Sequence, residues 1–242
     1  FAFLQDFLTR VALTNPRLDY LSFHSYGDEP NQHAAKFGLV RSLETGLGLA
    51  KLWVNAEWGR DLGNPEPTYD AIEHGIFRAK VLGLMQLYPF VLAHEALFRD
   101  PGTSGGELGL VRTGPPAHKP VSRVYQGLAR LNATPDLLEV TDNPDSLFVL
   151  PGRNSGGTRV AVALVLDNPA PGTLERFTVQ TTNLPWGTAP FTVQLSRVTQ
   201  ASSNAGQGIE PVSTEPGSGG EHTAIFDIEP GEQGLYILEL FP

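Results

Sequence analysis

The 242-residue sequence has no cysteine, a single methionine, and no apolar run approaching the roughly 20 residues that span a bilayer. Without cysteine there are no disulfides and no thiol catalysis, and the redox compartment stays undetermined. Basic residues are scarce, 17 Lys and Arg against 26 Asp and Glu, for a formal net charge of −9. Nucleic-acid binding needs clustered Lys and Arg, so that partner class is excluded, and no membrane partner is expected either. The six histidines show no close pairing with carboxylates at metal-ligand spacing, so neither a metal nor another cofactor is expected.

Two glycine-rich spellings fail on context. Gly46-Leu47-Gly48 precedes a strand, whereas a dinucleotide fingerprint opens a helix. Gly102-Thr103-Ser104-Gly105-Gly106 has the letters of a nucleophile elbow, but Arg99-Asp100-Pro101 stands where the elbow needs a strand, so it reads as a surface loop. Asn132-Ala133-Thr134 fits the N-glycosylation triplet, which matters only in a eukaryotic secretory pathway.

What remains is a folding composition. Hydrophobic residues make up 40%, enough for a substantial core, and Gly 26 with Pro 20 argues for many turns between short elements. Charge is unevenly placed. Residues 1–133 carry equal numbers of acids and bases, whereas from Thr134 onward 13 acids face four arginines and no lysine. A neutral front and an acidic back predict two units, 1–133 and 134–242. The chain opens on Phe1 and its only methionine is Met85, so it is expected to continue something longer. A secreted or periplasmic location is expected ahead of a cytoplasmic one.

The front alternates helix and strand. Phe3, Phe7 and Val11 with Leu4 and Leu8 predict a helix over 1–13, and DYLSFHSY (19–26) reads as a strand after the Asn15-Pro16 turn signal. Asn31 is placed to cap a helix bearing Ala34, Phe37, Val40, Leu43 and Leu47 on one face, ended by Gly46 and Gly48. A strand over 50–57 follows, then a helix over 69–87 capped by Thr68, with Asp70 in its first turn. A third strand is expected over 90–98. Pro120 opens a last helix striped by Val121, Val124, Tyr125, Leu128 and Leu131.

That order predicts parallel strands with helices outside. Period-two alternation turns Leu52, Val54 and Ala56 toward the helices and Trp53, Asn55 and Glu57 away from them. In the first strand Leu21 and Phe23 face the helices, while Tyr20, Ser22, His24 and Tyr26 do not. An inner face this polar and aromatic fits the inside of a (β/α) barrel near its C-terminal rim, where such enzymes place their chemistry. From residue 134 the pattern becomes seven short β-type runs between turns, which predicts a small antiparallel β-sandwich. The Ser-, Gly- and Pro-rich stretch 201–221 reads as a long mobile loop.

The segment LWVNAEWGR (52–60) delivers Glu57 at the end of an apolar strand, beside Trp58. A carboxylate there is costly to desolvate unless compensated, and this is how enzymes that attack sugars hold an acidic nucleophile. The plainer alternative is a glutamate solvated in an ordinary loop. His24-Ser25-Tyr26-Gly27 ends the neighbouring strand, placing Tyr26 to hydrogen-bond Glu57 and His24 to touch a sugar hydroxyl, unless both simply fill the interior. At the third strand end only one of His94 and Glu95 can face inward. Arg60 and Asp61 read as loop residues.

These pieces resemble, in this order, the C-terminal portion of a retaining glycosidase of clan A, most similar to glycoside hydrolase family 39, which includes β-xylosidases and α-L-iduronidases. DYLSFHSYGD resembles the sixth barrel strand of that family and LWVNAEWG the seventh, with its nucleophile. GLVRTGPPAHKPVSRVYQGLARL resembles the approach to the last barrel helix, and the β-rich tail the sandwich that follows the barrel. The resemblance implies the C-terminal part of a (β/α)8 barrel, about strands 6–8, with Glu57 as nucleophile. It makes His24, Tyr26, Asn55, Trp58 and His94 the candidate contacts to a carbohydrate substrate. Two departures stand out: residues 90–98 lack the tryptophan the eighth strand often brings, and the general acid/base, a Glu after an Asn on the fourth strand, is absent. Such a chain is expected to need an N-terminal fragment or another chain to complete its barrel. The competing class is a non-catalytic carbohydrate-binding or scaffold protein, in which Trp58, Tyr26 and His24 hold a sugar without cleaving it. Trp186, the only tryptophan of the acidic back, offers little for a sugar site there.

Overall fold

The computed structural model describes residues 2–60, 70–95, 110–111, 117–142, 147–167 and 175–242. They fall into two compact units. Among the described residues the first comprises 2–60 and 80–95, and the second 70–79, 110–111 and 117 onward.

In the first unit, helix α1 (Ala2–Thr14) leads to strand β1 (Tyr20–Tyr26), helix α2 (Pro30–Gly46), strand β2 (Leu52–Gly59) and, further on, strand β3 (Phe90–Glu95). The three strands form one parallel sheet in the order β1-β2-β3, and no closed barrel is present among the described residues. Helix α1 buries Leu8 and Val11 but leaves Phe3 exposed, so only the C-terminal part of its expected stripe is used. Helix α2 starts at Pro30, with Glu29 as the N-cap instead of Asn31, because proline's fixed φ suits the first helical position. Its buried stripe is His33, Phe37, Val40 and Glu44. The expected stripe is therefore right at Phe37 and Val40 and wrong at both ends, where polar residues take the buried positions.

The core of this unit is aromatic. Trp53 stacks on Tyr88 with centroids 5.5 Å apart and meets Phe23 and Phe90 edge-on, while Phe37 packs on Phe90 at 4.9 Å. Its indole Nε1–H donates to Glu44 Oε2 at 2.9 Å. Trp53 therefore faces helix α2, the reverse of the predicted orientation, and Asn55, which pairs in register with the α2-facing Phe23, shares that side. Leu52 and Val54 lie on the other face, where Leu52, Tyr20 and Leu92 are exposed.

The second unit is built on a six-stranded antiparallel sheet in the order β4-β5-β6-β11-β8-β9, with a two-stranded sheet β7-β10. These strands are β4 (Asp136–Leu137), β5 (Leu147–Arg153), β6 (Val160–Leu166), β7 (Glu175–Thr181), β8 (Pro190–Thr199), β9 (Glu210–Ser218), β10 (His222–Ile228) and β11 (Gly234–Phe241). One face of the large sheet packs with Phe177, Ala224, Phe226 and Ile228 of the small one. The other face packs against helix α3 (Ile72–Met85) through Ile72, Ile76 and Ala79, and against helix α4 (Pro120–Leu128) through Val124. The central strands β6 and β11 are thus buried on both faces, which is why they read as continuous apolar runs. Residues Ile72–Ala79 of α3 belong to this unit and the remainder to the first. Helix α4 opens at Pro120 as expected, and its Val124 packs into the core of the second unit. Thr68, the expected cap of α3, lies outside the described residues; the Ile72 N–H is satisfied by Gln200 Oε1 at 2.7 Å.

The stretch expected to be a mobile loop is instead the short helix α5 (Gln200–Asn204), then edge strand β9. Pro211 and Pro216 cannot donate to a ladder, but an edge strand tolerates them. Gly217 is required by packing, since a Cβ there would come within 2.2 Å of the Phe191 ring. Arg197 fastens the start of the strand through Glu210 at 2.9 Å. No helix among the described residues is long and apolar enough to cross a membrane.

Candidate functional site at the strand ends

The register between β1 and β2 runs without interruption from Tyr20↔Leu52 to Phe23↔Asn55, then shifts so that His24 pairs with Glu57. Ala56 is the extra residue. The same segment is irregular against β3, where Asn55↔Ala93 is followed by Trp58↔Glu95, leaving Ala56 and Glu57 opposite His94 alone. Two residues on one strand facing one on its neighbour is a β-bulge, a device that re-aims a side chain at a site. Here it decides which face Glu57 takes. With Trp53 and Asn55 toward the helix, unbroken alternation would send Glu57 to the helix side as well. The bulge returns it to the face of His24.

On that face the His24 Nδ1 lies 3.4 Å from Glu57 Oε2, with 58% and 35% of the two side chains exposed. Glu57 is thus placed beside a histidine and still reachable from solvent, which suits a group that must meet a substrate. Tyr26, half-buried, follows two residues after His24 on the same face and pairs with Gly59. His94 is exposed and sits opposite the bulge, while Glu95 pairs with Trp58. Asn55 and Trp58 are placed differently. They are 0% and 1% exposed and pair with Phe23 and the buried Ser25, on the face away from Glu57. The structure therefore brings Glu57, His24, Tyr26 and His94 to one face and leaves Asn55 and Trp58 on the other. The Gly102–Gly106 spelling and Asp61 lie outside the described residues. No group of three or more His, Asp or Glu stands ready to hold a metal among the described residues.

Residues that sequence reasoning missed support this rim from behind. His33 is fully buried, with Nδ1 2.7 Å from Ser25 Oγ and Nε2 3.4 Å from the Gly27 carbonyl. Lys36 Nζ donates to the Tyr26 carbonyl, and the Asp28 N–H donates to Gln32 Oε1 at 2.8 Å. Under Trp53, burial pushes the Glu44 carboxyl up from its ordinary value, against the pull of the indole N–H, the Lys51 backbone and Arg41. A usable signal was available: His33 and Glu44 stand four residues before Phe37 and after Val40, in the places where an apolar stripe would continue.

In fold the chain is similar to several solved glycosidases. The chain is similar to a glucosidase from Croceicoccus marinus, at 18% identity and a TM-score of 0.76, covering 100% of this chain and 57% of that one. It is also similar to a monomeric β-xylosidase from Caulobacter crescentus, at 16% identity and TM-score 0.73, covering 99% and 59%. A GH39 enzyme from Xanthomonas axonopodis pv. citri gives 16% identity and TM-score 0.68, covering 98% and 57%. No protein-family model matches the sequence, and no curated protein does. At these identities the likeness establishes the fold alone. The chain spans a little under three-fifths of the length of these structures.

Proposed function

We propose that this chain is the C-terminal part of a retaining glycoside hydrolase of family 39 type, with Glu57 as its nucleophile. The observation that carries the reading is the bulge-aimed Glu57, part-exposed and 3.4 Å from His24 at the C-terminal ends of parallel strands. That is where barrel enzymes hold their catalytic groups. In this reading a Glu57 carboxylate oxygen attacks the anomeric carbon and forms a glycosyl ester, as the bond to the leaving oxygen breaks. A second carboxyl group, about 5–5.5 Å away, protonates that oxygen and then activates the water that hydrolyses the ester. This proton donor comes from a strand outside β1–β3, so residues 1–242 need an N-terminal fragment or another chain for turnover. His24, Tyr26 and His94 line the sugar side of the sheet.

The test is a 2-fluoroglycosyl fluoride applied to the complete protein, with the adduct located by peptide mass spectrometry. A covalent sugar on Glu57 supports the nucleophile. Reversible binding with no adduct would transfer the chain to the non-catalytic carbohydrate-binding class. Robust glycoside hydrolysis by residues 1–242 alone would contradict the missing donor.

A further inference from the structure

Helix α2 does more than cover the sheet. Three side chains of its first two turns reach the exit of β1: Gln32 accepts from the Asp28 N–H, His33 meets both Ser25 Oγ and the Gly27 carbonyl, and Lys36 donates to the Tyr26 carbonyl. Four consecutive residues, Ser25 to Asp28, are thereby held from the helix. The Gly27 N–H in turn donates to the Gly59 carbonyl at 3.1 Å, joining the ends of β1 and β2 three residues beyond His24 on one strand and two beyond Glu57 on the other. Close approach is built in, because a Cβ on Gly27 would come within 2.7 Å of Gln32 Oε1.

We propose that His33 is a positioning residue, locking the β1 exit so that His24 is presented to Glu57. The inference rests on Glu57 being the nucleophile. Both ring nitrogens of His33 are used on one turn. In the neutral Nε2–H tautomer the Ser25 hydroxyl donates to Nδ1 and Nε2–H donates to the Gly27 carbonyl, so each polar atom is matched. Ser25 lies between His24 and Tyr26 and points the opposite way, so fixing Ser25 fixes the pitch at which both neighbours leave the strand. A hydrophobic residue of similar size at position 33 would fill the space without holding the turn. Such a buried polar link is what keeps a reacting pair within fractions of an ångström of its working geometry.

The experiment uses the complete protein and the same 2-fluoroglycosyl fluoride, separating the inactivator's reversible binding constant from its rate of ester formation. His33→Leu is expected to slow esterification of Glu57 by about 10- to 100-fold while leaving reversible binding within about twofold. Ser25→Ala removes one of the two links without a void larger than a hydroxyl, and is expected to slow it less. His33→Gln, which retains one donor and one acceptor, is expected to recover part of the rate. Should His33→Leu not fold, Ser25→Ala carries the test. Folded variants that label Glu57 at the parent's rate, or lose binding and rate in equal measure, overturn the positioning role. A parent protein with no label on Glu57 overturns the nucleophile assignment itself, and this inference with it.

Discussion

Two glutamates sit on inner strands of β-sheets in this chain, and they are treated in opposite ways. Glu239 of β11 is 1% exposed and gripped by two guanidinium groups, with Arg130 Nη1 2.8 Å from one oxygen and Arg159 Nη2 on the other. Arg130 also reaches Ser196 Oγ. Both guanidinium groups are fixed charges, the strand around Glu239 is continuous, and burial keeps the carboxylate from meeting a ligand. Glu57 of β2 stands on a bulge, is part-exposed, and faces the His24 ring. A buried carboxylate matched by arginines belongs to the architecture, whereas a part-exposed one at a strand irregularity is open to a ligand.

The comparison breaks most visibly at Glu57. Glu57→Gln in the complete protein should reduce glycoside turnover by on the order of 10⁴-fold, with the unfolding midpoint almost unmoved. Near-normal activity would place the two glutamates in the same, structural class. Glu239→Ala should do the converse. Removing the carboxylate from between two part-exposed guanidinium groups should cost about 1.5–3 kcal/mol of stability, read by urea unfolding. A loss below about 1 kcal/mol would mean the clamp is surface-like.

The sheets themselves differ in the same sense. Leu164→Ala, in the doubly buried β6, should cost about 2–5 kcal/mol, whereas Leu52→Ala, on the exposed face of β2, should stay within about 0.5 kcal/mol. Comparable losses would show that the face bearing Glu57 is as closed as the sandwich core. The smallest effect concerns Glu44. Its folded-state pKa is raised by burial, so the folded chain holds the proton more tightly than the unfolded one does. Stability from this group is therefore highest at acidic pH and falls as pH rises from the unfolded value through the raised folded one. Glu44→Gln keeps an acceptor for Trp53 and should flatten that fall. Parallel pH–stability profiles for parent and variant would refute the assignment.

Much of the scaffold was legible because it follows periodicity and caps. The strands at 20–26, 52–59 and 90–95, the helix opening at Pro120, and the change to β structure after 134 all carry local signals. The grouping of His24 with Glu57 on one face was legible too, but for an incomplete reason. Strict alternation reaches that answer only by turning Trp53 and Asn55 inward, and both face the helix. The burial of His33 and Glu44 was hidden because polar residues in a stripe look like its boundary. Strand β9 was hidden because Ser, Gly and Pro signal a loop until a neighbour offers a ladder.

The sequence by itself determined the parts and their order: which segments pair into sheets, where helices start, and that a carboxylate closes an apolar strand. Those properties depend on residues a few positions apart, through backbone sterics and apolar spacing. Only the tertiary structure decided which way that carboxylate points. A single extra residue at Ala56 inverts the face of everything after it. Whether the bulge forms depends on what two adjacent strands and helix α2 can pair, pack and hydrogen-bond, an energy no single segment contains.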